Sequence, residues 1–326
     1  MKLEKAMPTN TLGYWATIAV QKHFEKTIKY EQDVLEDRDP EALHQMRVGM
    51  RRLRSAVKGF APALHLPKAA REKQIGKISR SLGMLRDLDV LLEAIETRYQ
   101  PALPKKEKAT LKKALELLAE ERRHAFRVVS STLKENRYLS FKEKLSAWLE
   151  NPRYEAMAQF PIQEVLPDLL LPEVSTLFLH PGWTIGVNWK DGKMEIENLS
   201  PEAVEKKFAK QGEVLHDLRK QVKRVRYQMN LFTEFYGSAF AEYVDDMKSI
   251  QDILGNMQDS VVLAETLTDV FQSNLAKQLP TLAEKLGETR YEFWLNWQPL
   301  HQKYMKAETR TAFRAELLHP IPVVEE

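Results

Sequence analysis

The sequence predicts an all-α, internally duplicated fold with a small β-hairpin between its halves. Three observations predict it. Glycine is scarce, at 12 of 326 residues, which favours helices over a turn-rich β fold. Apolar residues recur at the three-to-four-residue spacing of a helix face. One segment also occurs twice. Leu43-His44-Gln45-Met46-Arg47 returns as Leu215-His216-Asp217-Leu218-Arg219, at a constant offset of 172 (216 less 44, 219 less 47). A second block keeps that offset: Leu82-Gly83 with Leu254-Gly255, Asp87 with Asp259, Val90-Leu91 with Val262-Leu263, and Glu93 with Glu265. Shared helical periodicity would align apolar positions, but not Gly, His and Asp as well.

The elements follow in order. A first helix is expected from about 10 to 38. Asp39-Pro40-Glu41 then opens a second, with an Asp N-cap, Pro at the first helical position and Glu in the first turn. It runs to about Phe60 and ends near Pro62. Further helices are expected over 68–99, 104–135 and 138–150, the last stopped by Asn151-Pro152. Five prolines between 152 and 181 predict that any helix there is short. Trp183 to Trp189 alternates, and Lys190-Asp191-Gly192-Lys193 then leads into Met194-Glu195-Ile196-Glu197, a hairpin with Asp-Gly in its turn. Ser200-Pro201-Glu202 repeats the capping logic and opens a helix toward 235. Helices near 238–272, 275–300 and 301–317 follow, and the tail around His319-Pro320-Ile321-Pro322 is expected to fray. This divides the chain into a first half (1–155), a connector (156–200), a second half (201–318) and a tail (319–326).

Charge matters here by placement. The chain has 49 Lys and Arg against 46 Asp and Glu, a net charge of only +3, so basic patches must be offset elsewhere. Cysteine is absent, which excludes disulfides, thiolate metal sites and a Cys nucleophile. Met1 to Lys5 has no apolar core of signal-peptide type. No run approaches the roughly 18 apolar residues of a membrane span. The expectation is a cytoplasmic protein without a membrane role.

A helix turns about 100° per residue, so His44, Arg47, Arg51, Arg54 and Lys58 share one face. Leu43, Met46, Met50, Leu53, Val57 and Phe60 form the adjoining apolar face. The second copy repeats this with His216, Arg219, Lys223 and Arg226 beside Leu215, Leu218, Val222, Val225, Met229 and Phe232. Arg52 and Arg224 lie on the flanks. Stacked cations repel by a few tenths of a kcal/mol per pair. A single run of this kind is ordinarily a solvated face. Two runs in register, neither with acidic partners at i,i+4, point instead to anion binding.

Neither His44 nor His216 has a metal-ligand partner at i+4, where Val48 and Lys220 stand. Surrounding cations disfavour a metal and lower the imidazole pKa, so each His reads as a phosphate donor that gains a proton as the anion arrives. Arg122 falls within the apolar stripe of Leu115, Leu118, Phe126 and Val129. Arg290 falls within that of Leu282, Leu286, Phe293 and Trp297. An inward charge needs a partner, either a buried carboxylate such as Asp87 or Asp259, or an anion in a cavity. Lys73, Lys77 and Arg80 form another basic face, matched in the second half by Asp245, Ser249 and Asp252, so the first half should carry more positive potential.

These motifs resemble the CHAD family, the conserved histidine α-helical domain. The first half carries Leu43-His44-Gln45-Met46-Arg47-Val48, Arg51-Arg52-Leu53-Arg54 and Leu82-Gly83-x-x-Arg86-Asp87-x-Asp89-Val90. The second carries Leu215-His216-Asp217-Leu218-Arg219-Lys220 and Leu254-Gly255-x-x-Gln258-Asp259. The resemblance covers about residues 10–317. It implies two four-helix bundles related by pseudo-twofold symmetry, a basic central cavity that binds inorganic polyphosphate, and in some members association with polyphosphate granules and granule-associated proteins. Carried across, His44, Arg47, Arg51, Arg54, His216, Arg219, Lys223 and Arg226 become phosphate ligands. Gln258 departs from the pattern where the first half has Arg86. Some relatives add a triphosphate-tunnel enzyme marked by Glu-x-Glu-x-Lys; Glu195-Ile196-Glu197 begins similarly, but Leu199 stands at the Lys position.

Polyphosphate suits such faces, because Arg forks and mobile Lys charges can follow a flexible anion without reading a sequence. Single-stranded nucleic acid is the rival ligand, yet its binders interleave aromatics for base stacking. Neither stripe has one, and Tyr227, the nearest, lies off the face. A metal-dependent polyphosphatase or phosphotransferase would need a metal held by carboxylates or a phosphate loop. There is no Gly-x-x-x-x-Gly-Lys, and Asp87 and Asp89 point apart on one helix. No cofactor and no catalysis are expected. A scaffold recruiting proteins to granules is a third possibility.

Overall fold

The computed structural model describes residues 7–191 and 193–321. The Gly192 of the expected turn, the residues before 7 and the tail beyond 321 lie outside them. The described chain is almost entirely helical, with one two-stranded hairpin. The helices are α1 (Leu12–Lys29), α2 (Glu31–Glu36), α3 (Pro40–Gly59), α4 (Glu72–Ala94), α5 (Lys105–Lys134), α6 (Asn136–Glu150) and α7 (Ile162–Phe178). Strands β1 (Val187–Lys190) and β2 (Lys193–Ile196) follow. Then come α8 (Pro201–Asn230), α9 (Ser238–Phe271), α10 (Leu275–Gln278), α11 (Pro280–Met305) and α12 (Ala307–Leu317). No helix among the described residues is long and apolar enough to cross a membrane.

The described residues group into two compact units. One holds 7–94 and 116–165, the other 95–115 and 166–321. The chain leaves the first at the end of α4, where the helix loosens into a π-helical turn over Ile95–Tyr99.

In the first unit α1 and α4 both pack against α3. The apolar face of α3 supplies Leu43, Met46, Met50, Leu53 and Val57 to the core, all buried. Its start matches the capping signature: the Asp39 carboxylate accepts from the Glu41 N–H at 2.8 Å, with Pro40 at the first helical position. Gly49 of α3 lets Thr27 of α1 approach, since a Cβ there would stand 2.7 Å from the Thr27 hydroxyl.

The expected first helix is in fact two. Tyr30, at φ −96° and ψ 5°, interrupts it. The turn lets Glu31 accept from Tyr138 at 2.8 Å and from Lys142 at 2.6 Å on α6. These tertiary partners outweigh local helix propensity.

The second unit packs α8, α9 and α11 together, with α12 against α9 and α11. Ser200 caps α8 through its hydroxyl, which accepts from the Ala203 N–H at 3.3 Å. The hairpin is antiparallel, pairing Val187 with Ile196 and Trp189 with Met194. Asp191 in its turn has φ 50°, the left-handed conformation Asp tolerates there.

The expectation that the connector prolines allow only short helices is corrected. Helix α7 has 17 residues and contains Pro167 and Pro172, so the connector holds a full helix. Helix α11 likewise continues through Pro299 and stops only at Met305. A proline in a helix removes one N–H and strands the carbonyl four residues back. In α7 the buried face is Leu166, Leu170, Val174 and Leu177, while Pro167 is half-buried and Pro172 exposed. Pro299 is exposed too. The stranded carbonyls therefore fall on the wet sides of helices whose apolar faces hold them in place.

Candidate functional site

On α3, His44, Arg47 and Arg51 are half-buried, while Arg54 and Lys58 are exposed. This face lies along α4, and its contacts fix an antiparallel register. Arg47 sits on Gly83, where a Cβ would stand 2.8 Å from its Nη1. Arg54 sits on Gly76, where a Cβ would stand 3.3 Å from its guanidinium. The two glycines are thus seats for two guanidinium groups.

Helix α4 also brings carboxylates. Arg47 faces Asp87 at 3.5 Å, and Arg54 pairs with Glu72 at 2.5 Å. Both of these carboxylates come from α4, not from the helix that carries the stripe. Residue spacing within α3 cannot reveal these; only the α3–α4 register does. Lys73, Arg80 and Lys77 stand about 40–100° round α4 from Gly76, so they flank the same seam. Lys73 and Arg80 are exposed and Lys77 is half-buried. Arg86 lies on the opposite flank and acts electrostatically on both His44 and Arg47.

The second unit carries a matching face. On α8, His216, Arg219, Lys223 and Arg226 are half-buried, and Arg224 is exposed. Arg219 sits on Gly255 of α9, where a Cβ would stand 3.1 Å from its Nε and Nη2. Nδ1 of His216 and the Nε groups of Arg219 and Arg226 are buried without a hydrogen-bond partner among the described residues. Buried polar atoms ordinarily have partners, so three of them on one helix face leave that face ready for an acceptor.

Electrostatics agree with this. His44 is held below the ordinary imidazole pKa, first by burial and then by Arg86, Arg51 and Arg47, against the opposing pull of Glu41. His216 is also held below it, first by burial and then by Lys220 and Arg219. Burial, rather than the crowding of cations, is the larger cause in both. Arg47 is pushed down by burial and by Arg86, with Asp87 opposing.

Arg122 and Arg290 are committed elsewhere. Arg122 grips Asp37 through two bonds of 2.7 and 2.8 Å and donates to Asp89 at 2.8 Å. Arg290 grips Glu205 of α8 through two bonds of 2.7 Å. Of the two readings of these inward arginines, the carboxylate pair is the one formed, but with Asp37, Asp89 and Glu205 in place of Asp87 and Asp259. Both forks are filled, which leaves them outside the basic faces. Arg52 points elsewhere too: it acts on His23 of α1, and Arg224 donates to Gln221 at 3.4 Å. Among the described residues no three His, Asp or Glu side chains are grouped to hold a metal ion.

Several solved structures share the fold. The CHAD domain from the plant Ricinus communis is 25% identical, with a TM-score of 0.54 over 97% of this chain and 96% of its own. PptA from Streptomyces chartreusis is 16% identical, with a TM-score of 0.56 over 90% of this chain and 100% of its own. No curated protein matches in sequence. The family model described as the CHAD domain matches residues 18–268. With more than half its length matched, and with its doubled His-x-x-Arg helices each seated on a glycine, the chain belongs to the CHAD domain family.

Proposed function

We propose that this protein binds inorganic polyphosphate without transforming it, through the basic faces of α3 and α8. The carrying observation is the repeated seat: Arg47 on Gly83 and Arg219 on Gly255, each one turn after a histidine of lowered pKa. The seats hold guanidinium groups partly out of water, where a phosphate oxygen gains more from the fork than it would in bulk solvent. The constant offset between the two copies supports descent from a duplicated segment. Family membership supports the choice of ligand. Association with polyphosphate granules in the cytoplasm belongs to the same reading.

The ligand needs no recognition of bases, and the seats present none of the aromatic platforms that single-strand binders use. Competition between long-chain polyphosphate and single-stranded RNA at fixed salt tests this. Polyphosphate should displace RNA at equal phosphate concentration; displacement in the other direction would refute the reading. Incubation with magnesium or manganese should release no orthophosphate, and steady release would make the protein an enzyme.

A further inference from the structure

We infer that the first unit carries a second polyanion-binding surface, on the outer face of α1, that takes the overhang of a long polyphosphate chain. An open cleft of about 560 Å³ lies along α1, lined by Ile18, Lys22, Glu25, Lys26, Lys29 and Tyr30. Lys22, Lys26 and Lys29 follow i, i+4, i+7 spacing and so share one face over about 10 Å of helix. None of the three makes an ion pair with a described residue. Glu25, the one carboxylate in the cleft, instead accepts from Gln21 at 2.8 Å. Lys29 lies 5.6 Å over the Tyr30 ring, which covers part of the only aromatic surface there.

Arg52 adds a fourth cation beside this surface. It is exposed on α3, on the flank away from Gly76 and Gly83, and the packing of α1 on α3 brings it toward the lysines. Arg52, Lys22 and Lys26 all act electrostatically on the buried imidazole of His23. Three lysines and one arginine with a single, already engaged carboxylate complement an anion without fixed shape. A linear polyphosphate fits that description. An anionic membrane fits less well, because Ile18 is the only apolar side chain of the cleft exposed enough to insert.

The inference rests on the polyphosphate reading above and makes a length-dependent prediction. The α3 face from His44 to Lys58 spans about 21 Å. A chain no longer than that fits within one basic face, and a longer one lying on α3 extends past it to α1. The test compares the full chain with Lys22→Glu/Lys26→Glu/Lys29→Glu, against a short oligophosphate and against long-chain polyphosphate. The expected result is unchanged affinity for the short chain and a loss on the order of tenfold for the long one, with a shallower salt dependence by about 2 in log–log slope. Equal affinity of wild type and variant for the long chain would overturn the inference. So would equal losses for both lengths, which would show one diffuse field. Failure of the wild type to bind either length would instead reject the function proposed above. Lys22→Gln/Lys26→Gln/Lys29→Gln keeps the test valid if charge reversal disturbs α1: it should lose long-chain affinity in the same direction, and no loss would count against the surface. Vesicles of phosphatidylserine supply the other arm. Binding to them that the substitutions abolish, with long-chain affinity intact, would assign the cleft to a membrane and overturn the inference.

Discussion

The guanidinium of Arg47 occupies the space that a side chain on Gly83 would fill, with Nη1 2.8 Å from the Cβ position. The same relationship joins Arg219 to Gly255 at 3.1 Å. Each glycine is therefore kept small for an arginine on the neighbouring helix, not for a turn.

Gly83→Ala should separate binding from stability. A methyl group would push the Arg47 head off its seat, which costs little in folding because the displaced atoms end a flexible side chain. Alanine also gains about 1 kcal/mol of helix propensity over glycine. The melting temperature should therefore change little, while polyphosphate affinity falls about tenfold, the worth of one charge-assisted contact. Gly255→Ala should act in the same direction. Titration calorimetry beside thermal melts reads both; equal changes in both quantities would contradict the seat.

Arg122→Ala should do the opposite. It would leave Asp89, buried beside it, without its cation, and would release Asp37 from a two-point grip. Removing one member of a buried pair costs about 3 kcal/mol or more. Asp89 already has its carboxyl pulled upward by burial, against Arg122. Denaturant unfolding should show the loss, and the folded fraction should still bind polyphosphate normally.

His23 makes the fold sensitive to acid. Burial first, then Arg52, Lys22 and Lys26, lowers its pKa to about 4. At pH above 6.5 the imidazole is neutral in both folded and unfolded chains, so its contribution is fully present there. As pH falls from 6.5 to about 4, the unfolded chain takes up the proton first and stability declines, by about 3 kcal/mol over the window. Urea midpoints measured across that range should fall, and His23→Leu should flatten the part owed to this residue.

Binding should take up protons. Burial, and then the neighbouring cations, hold the pKa values of free His44 and His216 below the ordinary imidazole value, and a phosphate bound beside them would raise both. Affinity should therefore strengthen as pH drops from 8 toward 6, and calorimetry in buffers of different ionisation enthalpy should record proton uptake. His44→Ala/His216→Ala should lose most of that dependence while keeping salt-sensitive binding.

The capping residues made the helix starts legible: Asp39-Pro40 and Ser200-Pro201 mark α3 and α8 as they stand. The basic faces were legible too, because helical spacing alone aligns His44 with Arg47 and Arg51. What lay beyond reach depends on partners far along the chain. Tyr30 breaks the first helix so that Glu31 can meet Tyr138, which lies 107 residues on. Asp89 is the buried partner of Arg122, a fact set by the meeting of α4 and α5 and not by spacing along either helix. The prolines of α7 misled because their cost depends on which side faces water, and that is decided by packing. Gly83 and Gly255 were visible as a repeated pair, but their purpose needed the arginines opposite them.

The most direct measurement is binding of defined-length polyphosphate to wild type and to Arg51→Glu/Lys223→Glu, one charge reversed on each basic face, with folding checked by circular dichroism. The account predicts a loss of affinity on the order of a hundredfold at moderate salt and a shallower salt dependence. A folded double variant with wild-type affinity would contradict it.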